Sequence, residues 1–300
     1  HFQMMLQLSN MLKNEERYPE SLAMADRYLT ESGAENAKAY AAKADTLYRM
    51  KRYADSIDVV KKAMAMGEAD DSLTKLLVAN YQELDRPADA AKALEEMLAK
   101  KPGDKQLMLA LASSYQQAEQ DAKAGEVFDR MRAGGLLTEQ RDYESGYRLL
   151  ANIPGREKDA VALINEGLQK GILKPDYNAY SALGTIYYNA DQIPQAMDAW
   201  AKAAPLAKDG EMYLNLGKLQ VSEDKYADGK VSGQQALAKG VKKKGEAWLV
   251  IARAEFGLGN KPAVLAAYRE AAKYPETKKQ AETALRQAAG GHDLILSSGG

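Results

Sequence analysis

The sequence predicts an all-α protein: a solenoid of about eight helix-turn-helix repeats closed by one further helix. Three observations carry this. Alanine, leucine and methionine dominate the apolar residues, and phenylalanine occurs only three times, so helix formers outweigh the residues that favour strands. Small and apolar residues recur at helical spacing with a period of about 34 residues. Prolines fall in phase with that period.

The clearest unit is Tyr180-x2-Leu183-Gly184-x2-Tyr187, followed by Ala196, Trp200 and Ala203. With the repeat's first residue as position 1, these stand at positions 4, 7, 8, 11, 20, 24 and 27. The first four share one face of a first helix, A, and the last three one face of a second helix, B. The frame starts near residues 2, 37, 71, 105, 141, 177, 210 and 245 and spans 2–276. Repeat one keeps Leu8, Ser9, Leu12, Ser21 and Ala25. Repeat two has Tyr40, Ala44, Leu47, Ser56, Val60 and Ala63. Repeat three has Leu77, Val78, Tyr81, Ala90, Leu94 and Met97, and repeat four has Met108, Leu111, Ala112, Tyr115, Ala124, Phe128 and Met131.

Repeat five is the expected weak joint. The intervals on either side of it are 36 residues, Ala133, Gly134 and Gly135 precede it, and Gly167 stands at position 27, where alanine would pack. Exchange or proteolysis is therefore expected to begin within residues 132–175. Repeat seven places Gly229 at position 20 and Gly233 at position 24, and Trp248 of repeat eight is expected to fill the space that Gly233 leaves. Repeat eight continues with Ile251, Ala252, Val264, Tyr268 and Ala271. Residues 277–290 read as a polar capping helix. The tail 291–300 holds an apolar triplet, Leu294, Ile295 and Leu296. It is either a cloning remnant or an extended segment docked on repeat eight or in a neighbouring molecule's groove.

Pro19, Pro194 and Pro262 fall at position 18 and Pro87 one residue earlier, in the first turn of helix B, where the missing N–H has no helical partner. Pro102 and Pro275 fall where helix B must stop. Small residues at positions 8 and 20 let A and B approach. Glycine inside a helix costs ~1 kcal/mol relative to alanine, so Gly184 and Gly217 at position 8 imply a packing demand.

The chemistry of most enzymes is missing. Cysteine is absent, and the two histidines, His1 and His292, lie at the ends. Residues 257–261 lack the spacing of a phosphate loop, and Asp224-x3-Asp228-Gly229 lacks the alternating ligands of a calcium loop; both read as turns. Asp70 and Asp71 read as a helix cap. No catalytic residue, metal or cofactor is expected. A net charge of −1 gives no field toward nucleic acid. Locally, residues 210–290 hold 14 basic and 9 acidic groups, with a run at Lys242, Lys243 and Lys244 that is either a solvated turn or a docking patch for an acidic partner. No apolar run approaches the ~20 residues that span a bilayer. The chain begins at His1 rather than methionine, which is compatible with removal of a signal peptide or anchor.

The repeated pattern resembles the tetratricopeptide repeat (TPR) over residues 2–276, and residues 177–276 match best. This implies one continuous right-handed superhelix that binds a protein or an extended peptide along a concave groove lined by the A helices. Positions 2, 5, 6, 9, 12 and 13 would face that groove. They include Lys38, Asp45, Tyr48, Arg49, Lys75, Gln82, Gln106, Ser113, Gln116, Gln117, Asn178, Ser181, Thr185, Tyr188, Asn189, Asn215, Lys218 and Arg253. The two-carboxylate clamp of some TPR proteins is not matched: Asn215 has Ser181 and Thr185 before it and Glu246 and Val250 after it. The groove is polar and amide-rich, which suits an extended polar peptide. Residues 141–151 (RDYESGYRLLA), 204–214 (APLAKDGEMYL) and 245–251 (GEAWLVI) resemble bacterial TPR proteins associated with the TonB–ExbB–ExbD system. That resemblance implies a periplasmic adaptor for an envelope complex. The TPR portion of a larger enzyme is the alternative.

Overall fold

The computed structural model describes residues 1–33, 36–66 and 71–290. The tail residues Leu294, Ile295 and Leu296, and Asp70, lie outside the described residues. Among the described residues there are seventeen α-helices, one short 3-10 turn and no strand, the pattern of an all-α helical-repeat solenoid.

The chain forms two compact units, His1–Thr138 and Glu139–Gly300. The first contains α1 (Phe2–Asn14), α2 (Tyr18–Glu31), α3 (Ala37–Arg49), α4 (Tyr53–Ala65), α5 (Asp71–Glu83), α6 (Pro87–Lys100), α7 (Lys105–Gln117) and α8 (Asp121–Ala133). The second contains α9 (Gln140–Ala151), α10 (Glu157–Gln169), α11 (Tyr177–Asn189), α12 (Ile193–Ala203), α13 (Glu211–Ser222), α14 (Tyr226–Lys239), α15 (Lys244–Gly257), α16 (Lys261–Ala271) and α17 (Lys278–Ala289). Odd-numbered helices up to α15 are A helices. Each begins within one residue of the start read from spacing.

The turn inside each pair follows from one backbone conformation. Position 15 is left-handed in all eight repeats: Glu16, Lys51, Asp85, Glu119, Gly155, Asp191, Asp224 and Gly259 all have φ between 53° and 85°. A left-handed residue turns the last helical N–H groups back onto the helix. Accordingly the N–H at position 16 donates to the carbonyl at position 11 in seven repeats, as in Arg52 to Leu47 at 2.9 Å and Gln192 to Tyr187 at 2.9 Å. Where position 16 is arginine it pairs with an acid at position 19: Arg17 with Glu20, Arg52 with Asp55, Arg86 with Asp89 and Arg156 with Asp159. Prolines occupy the first turn of α2, α6, α12 and α16. Residues 257–261 and 224–229 belong to these turns. Asn260 caps α16 by accepting from the Ala263 N–H, and Asp224 accepts from the Tyr226 hydroxyl.

Fully buried alanines bring the helices together: Ala44 and Ala252 at position 8, and Ala90, Ala124, Ala160 and Ala196 at position 20, are 0% exposed. Repeat one differs from the stripe read in the sequence. Met5, Ser9 and Leu12 are buried, whereas Leu8 is 41% exposed. Position 7 packs against position 24 of the preceding repeat, as Ile251 does on Gly233. The Gly233 expectation is also corrected: a methyl group there would first meet Ile251, the Ala247 carbonyl and Val250, ahead of any atom of Trp248. Trp248 instead lies half-buried against the cluster of Ile251, Tyr268, Ala281 and Ala284, where α17 covers the last pair.

A polar seam runs through the first unit. Ser9 and Ser21 each donate to the other's carbonyl, at 2.8 and 2.7 Å, and the Ser21 hydroxyl is 3.2 Å from that of Thr46. The Asn80 amide donates to Ser56 at 2.9 Å. Position 20 of one repeat thus meets position 10 of the next. Ser114 holds position 10 of repeat four, but position 20 before it is Ala90. The Ser114 hydroxyl is buried with no hydrogen-bond partner. A buried hydroxyl left unpaired costs ~1–3 kcal/mol. Ser114→Ala is therefore expected to stabilise the protein by about 1 kcal/mol; a lower urea midpoint for the variant would contradict this account.

Candidate peptide-binding cleft

None of the eighteen sequence-predicted groove residues is buried. Asp45, Tyr48, Ser181 and Arg253 are half-buried and the rest are exposed. Their surroundings differ within each unit. In the first unit, Asp45 on α3 accepts from Lys13 on α1 at 2.7 Å and lies 3.5 Å from Arg49. Tyr48 turns onto Tyr53 of its own repeat, edge to face at 5.4 Å. These contacts satisfy the charges and fix the ring. Lys38, Lys75, Gln82, Gln106, Ser113, Gln116 and Gln117 are exposed polar residues.

The second unit brings a subset together. Tyr188 at the end of α11, Trp200 on α12, and Asn215, Lys218, Leu219 and Ser222 along α13 line a cleft of about 360 Å³. Its floor is aromatic: Tyr188 stacks on Trp200 with centroids 5.4 Å apart and planes 26° from parallel, and Tyr188 remains 47% exposed. The floor rests on Gly184. A Cβ there would lie 2.2 Å from Cδ1 and 2.5 Å from Nε1 of Trp200, so only glycine lets the indole settle on α11. The indole N–H is buried against this helix without a partner.

The wall is polar. Asn215 and Lys218 are exposed, and the Ser222 hydroxyl donates to the Leu219 carbonyl at 2.7 Å. Lys218 bridges to Glu246 at the start of α15, and Lys243 lies 3.6 Å from the same carboxylate. The hydrogen bond from Lys218 holds the Glu246 carboxyl below its ordinary pKa, against the opposing effect of its partial burial. This internal pairing, together with the burial of Val250, leaves no basic clamp for a chain-terminal carboxylate. Asn178, Ser181, Thr185, Asn189 and Arg253 do not line the cleft.

Several participants lie outside the groove residues read in the sequence, Leu219 among them. Lys13, Ser222 and Glu246 stand at positions 12, 13 and 2, within the groove set, and the spacing alone could have named them. Trp200 was read as packing; the signal was glycine at position 8 opposite tryptophan at position 24. Among the described residues no group of three or more His, Cys, Asp or Glu could hold a metal ion, and no helix is long and apolar enough to cross a membrane.

No protein-family model and no curated protein matches this sequence. Solved structures do resemble its fold. A tetratricopeptide-repeat protein from Parabacteroides merdae is 12% identical, with a TM-score of 0.45 over 84% of this chain and 98% of that one. Naa15/Naa10 bound to HypK-THB is 12% identical, with a TM-score of 0.53 over 97% of this chain and 61% of that one. The TPR2AB domain of yeast Sti1, in its pHSP90 complex, is 13% identical, with a TM-score of 0.44 over 90% of this chain and 98% of that one. At these identities the likeness is one of fold.

Proposed function

We propose that this chain is a non-enzymatic TPR scaffold that binds an extended peptide segment of a protein partner in the α11–α13 cleft. The observation that carries the reading is the aromatic floor of Tyr188 on Trp200 beside the exposed amide of Asn215. A flat ring face takes a proline or aromatic side chain. A side-chain amide both donates to and accepts from a peptide unit, so Asn215 can hold the backbone of that peptide without regard to sequence. Lys218 and Ser222 add a cationic and a hydroxyl edge that select polar neighbours. The fold likeness to Naa15/Naa10, a structure with HypK-THB bound, is consistent with a helical-repeat array that engages other proteins.

The finer part of the proposal concerns the partner's place. Residues 141–151, 204–214 and 245–251 resemble TonB-associated TPR proteins, so in this reading the peptide belongs to a bacterial envelope complex and the chain works in the periplasm. Selection from a displayed random-peptide library tests the cleft. Enriched peptides should carry a proline or aromatic residue, and Tyr188→Ala and Asn215→Ala should each weaken them about tenfold, the equivalent of a ~1.4 kcal/mol contact. Undiminished binding by both variants, or no enrichment, would overturn the assignment. Cross-linking in bacterial envelopes, with Tyr188→Ala as the comparison, tests the envelope part.

A further inference from the structure

The structure assigns a second interaction surface to the inter-repeat loops at the end of the second unit. Three consecutive loops, 207–210, 240–243 and 272–277, lie side by side. The Gly210 N–H donates to the Gly240 carbonyl at 2.8 Å, the Lys242 N–H to Glu211 at 2.8 Å, and the Gly245 N–H to Glu276 at 3.2 Å. A Cβ at Gly245, in the first turn of α15, would collide with Thr277, so the third loop packs against the helix start that follows the second.

These bonds separate the charges. The acids are tied to backbone N–H groups: Glu211 accepts from Lys242, Glu276 from Gly245 at the start of α15, and Asp209 from the Glu211 N–H at 3.1 Å, while Asp209 and Glu276 stay exposed. The lysines face outward. Lys208, Lys242, Lys243, Lys244, Lys278 and Lys279 are all exposed, and only Lys243 has an ion-pair partner among the described residues, Glu246 at 3.6 Å. Lys239 is not part of this edge, because it donates to the Ala204, Pro205 and Ala207 carbonyls. A row of like charges on three packed loops is repulsive in isolation, and an anionic partner relieves that repulsion.

We propose that this edge docks an acidic, Asp/Glu-rich segment of a protein partner. Charge complementarity selects the class of ligand. The acids within the loops favour a chain over a membrane, since Asp209 and Glu276, both exposed, would be pressed against a continuous anionic sheet, whereas a chain can thread its carboxylates between them. The surface adjoins the α11–α13 cleft at one point, where Lys243 and the cleft's Lys218 share Glu246, but Lys208, Lys242, Lys244, Lys278 and Lys279 do not line that cleft.

The test is fluorescence anisotropy with a labelled deca-glutamate peptide. The unmodified chain should bind it, and affinity should fall about tenfold as salt rises from 50 to 300 mM, an order of magnitude set by screening of exposed charges. Lys242→Glu, Lys244→Glu, Lys278→Glu and Lys279→Glu combined should weaken binding at least tenfold, while Tyr188→Ala should leave it unchanged. The glutamine versions of the four substitutions, weakening binding less than the glutamate set, keep the test valid if the reversed set fails to fold. Equal binding by the lysine variants overturns the proposal, as does loss of binding in Tyr188→Ala, which would put the acidic chain in the cleft. Phosphatidylglycerol vesicles are the comparison: vesicle binding without peptide binding overturns it in favour of a membrane surface.

Discussion

Gly184→Ala is expected to destabilise the protein by about 2 kcal/mol and to weaken binding in the α11–α13 cleft. Helix propensity alone predicts the opposite sign, because alanine gains ~1 kcal/mol over glycine within a helix. Packing overrides it. The new methyl would stand 2.2 Å from Cδ1 of Trp200, more than 1 Å inside ordinary contact, and the ring atoms it meets belong to a rigid indole rather than a flexible chain end. Overpacking of this kind costs ~1–3 kcal/mol, and a rigid ring places it at the upper end. The indole must swing outward, carrying away the surface on which Tyr188 stacks. Denaturant unfolding gives the energy. The environment of Trp200, read from tryptophan fluorescence in a Trp248→Phe background, gives the displacement. Gly184→Ala combined with Trp200→Leu should regain stability but not peptide binding, because the smaller side chain clears the methyl and removes the floor. A Gly184→Ala protein as stable as the unmodified chain would show that the indole is not held there.

The repeat frame was legible because small residues recur at positions 8 and 20 in most repeats, and because prolines fall in the first turn of helix B or where that helix stops. What it concealed is which residues occupy the space between repeats. Trp248 at position 4 was the residue expected at Gly233, yet Val250 at position 6 and Ile251 at position 7 supply the nearest side-chain atoms. The left-handed residue at position 15 was equally hard to see: six of the eight are Glu, Lys or Asp, and only Gly155 and Gly259 carry the usual signature. The groove residues followed from position, but position says nothing of pairing. Asp45 is spent on Lys13 and Arg49, and Lys218 on Glu246, whereas Tyr188 is set on Trp200 by a glycine one turn earlier in its own helix. That difference depends on side-chain volumes in three helices at once, and no single-helix pattern contains it.

Repeat five is where the sequence and the structure disagree most usefully. Gly167 reads in the sequence as a packing deficit. In the structure a methyl there would lie 2.7 Å from Cγ and Cδ1 of Leu173 and 2.9 Å from Cδ1 of Tyr143, so the glycine admits two large side chains that alanine would displace. Tyr143 is 0% exposed and Leu173 2%, and burial raises the pKa of the Tyr143 hydroxyl. Leu150, Leu163 and Ile164 are buried in the same repeat. Tyr143→Ala should therefore cost about 3–5 kcal/mol, the range for a fully buried aromatic truncated to alanine. Gly167→Ala should destabilise by about 1 kcal/mol, an overpacking cost of ~2 kcal/mol partly offset by helix propensity. If Gly167 were a defect, alanine would stabilise instead, so the sign of this one substitution decides between the readings. The consequence for dynamics is a narrower opening than residues 132–175. The boundary between the two compact units falls after Thr138, and Gly134 and Gly135 lie just before it. Hydrogen exchange is expected to be fast through 134–139 and slow from Tyr143 to Ile164, because the helices α9 and α10 enclose these side chains. Fast exchange throughout α9 and α10 in the unmodified chain would restore the defect reading; in Tyr143→Ala the same fast exchange is the expected result.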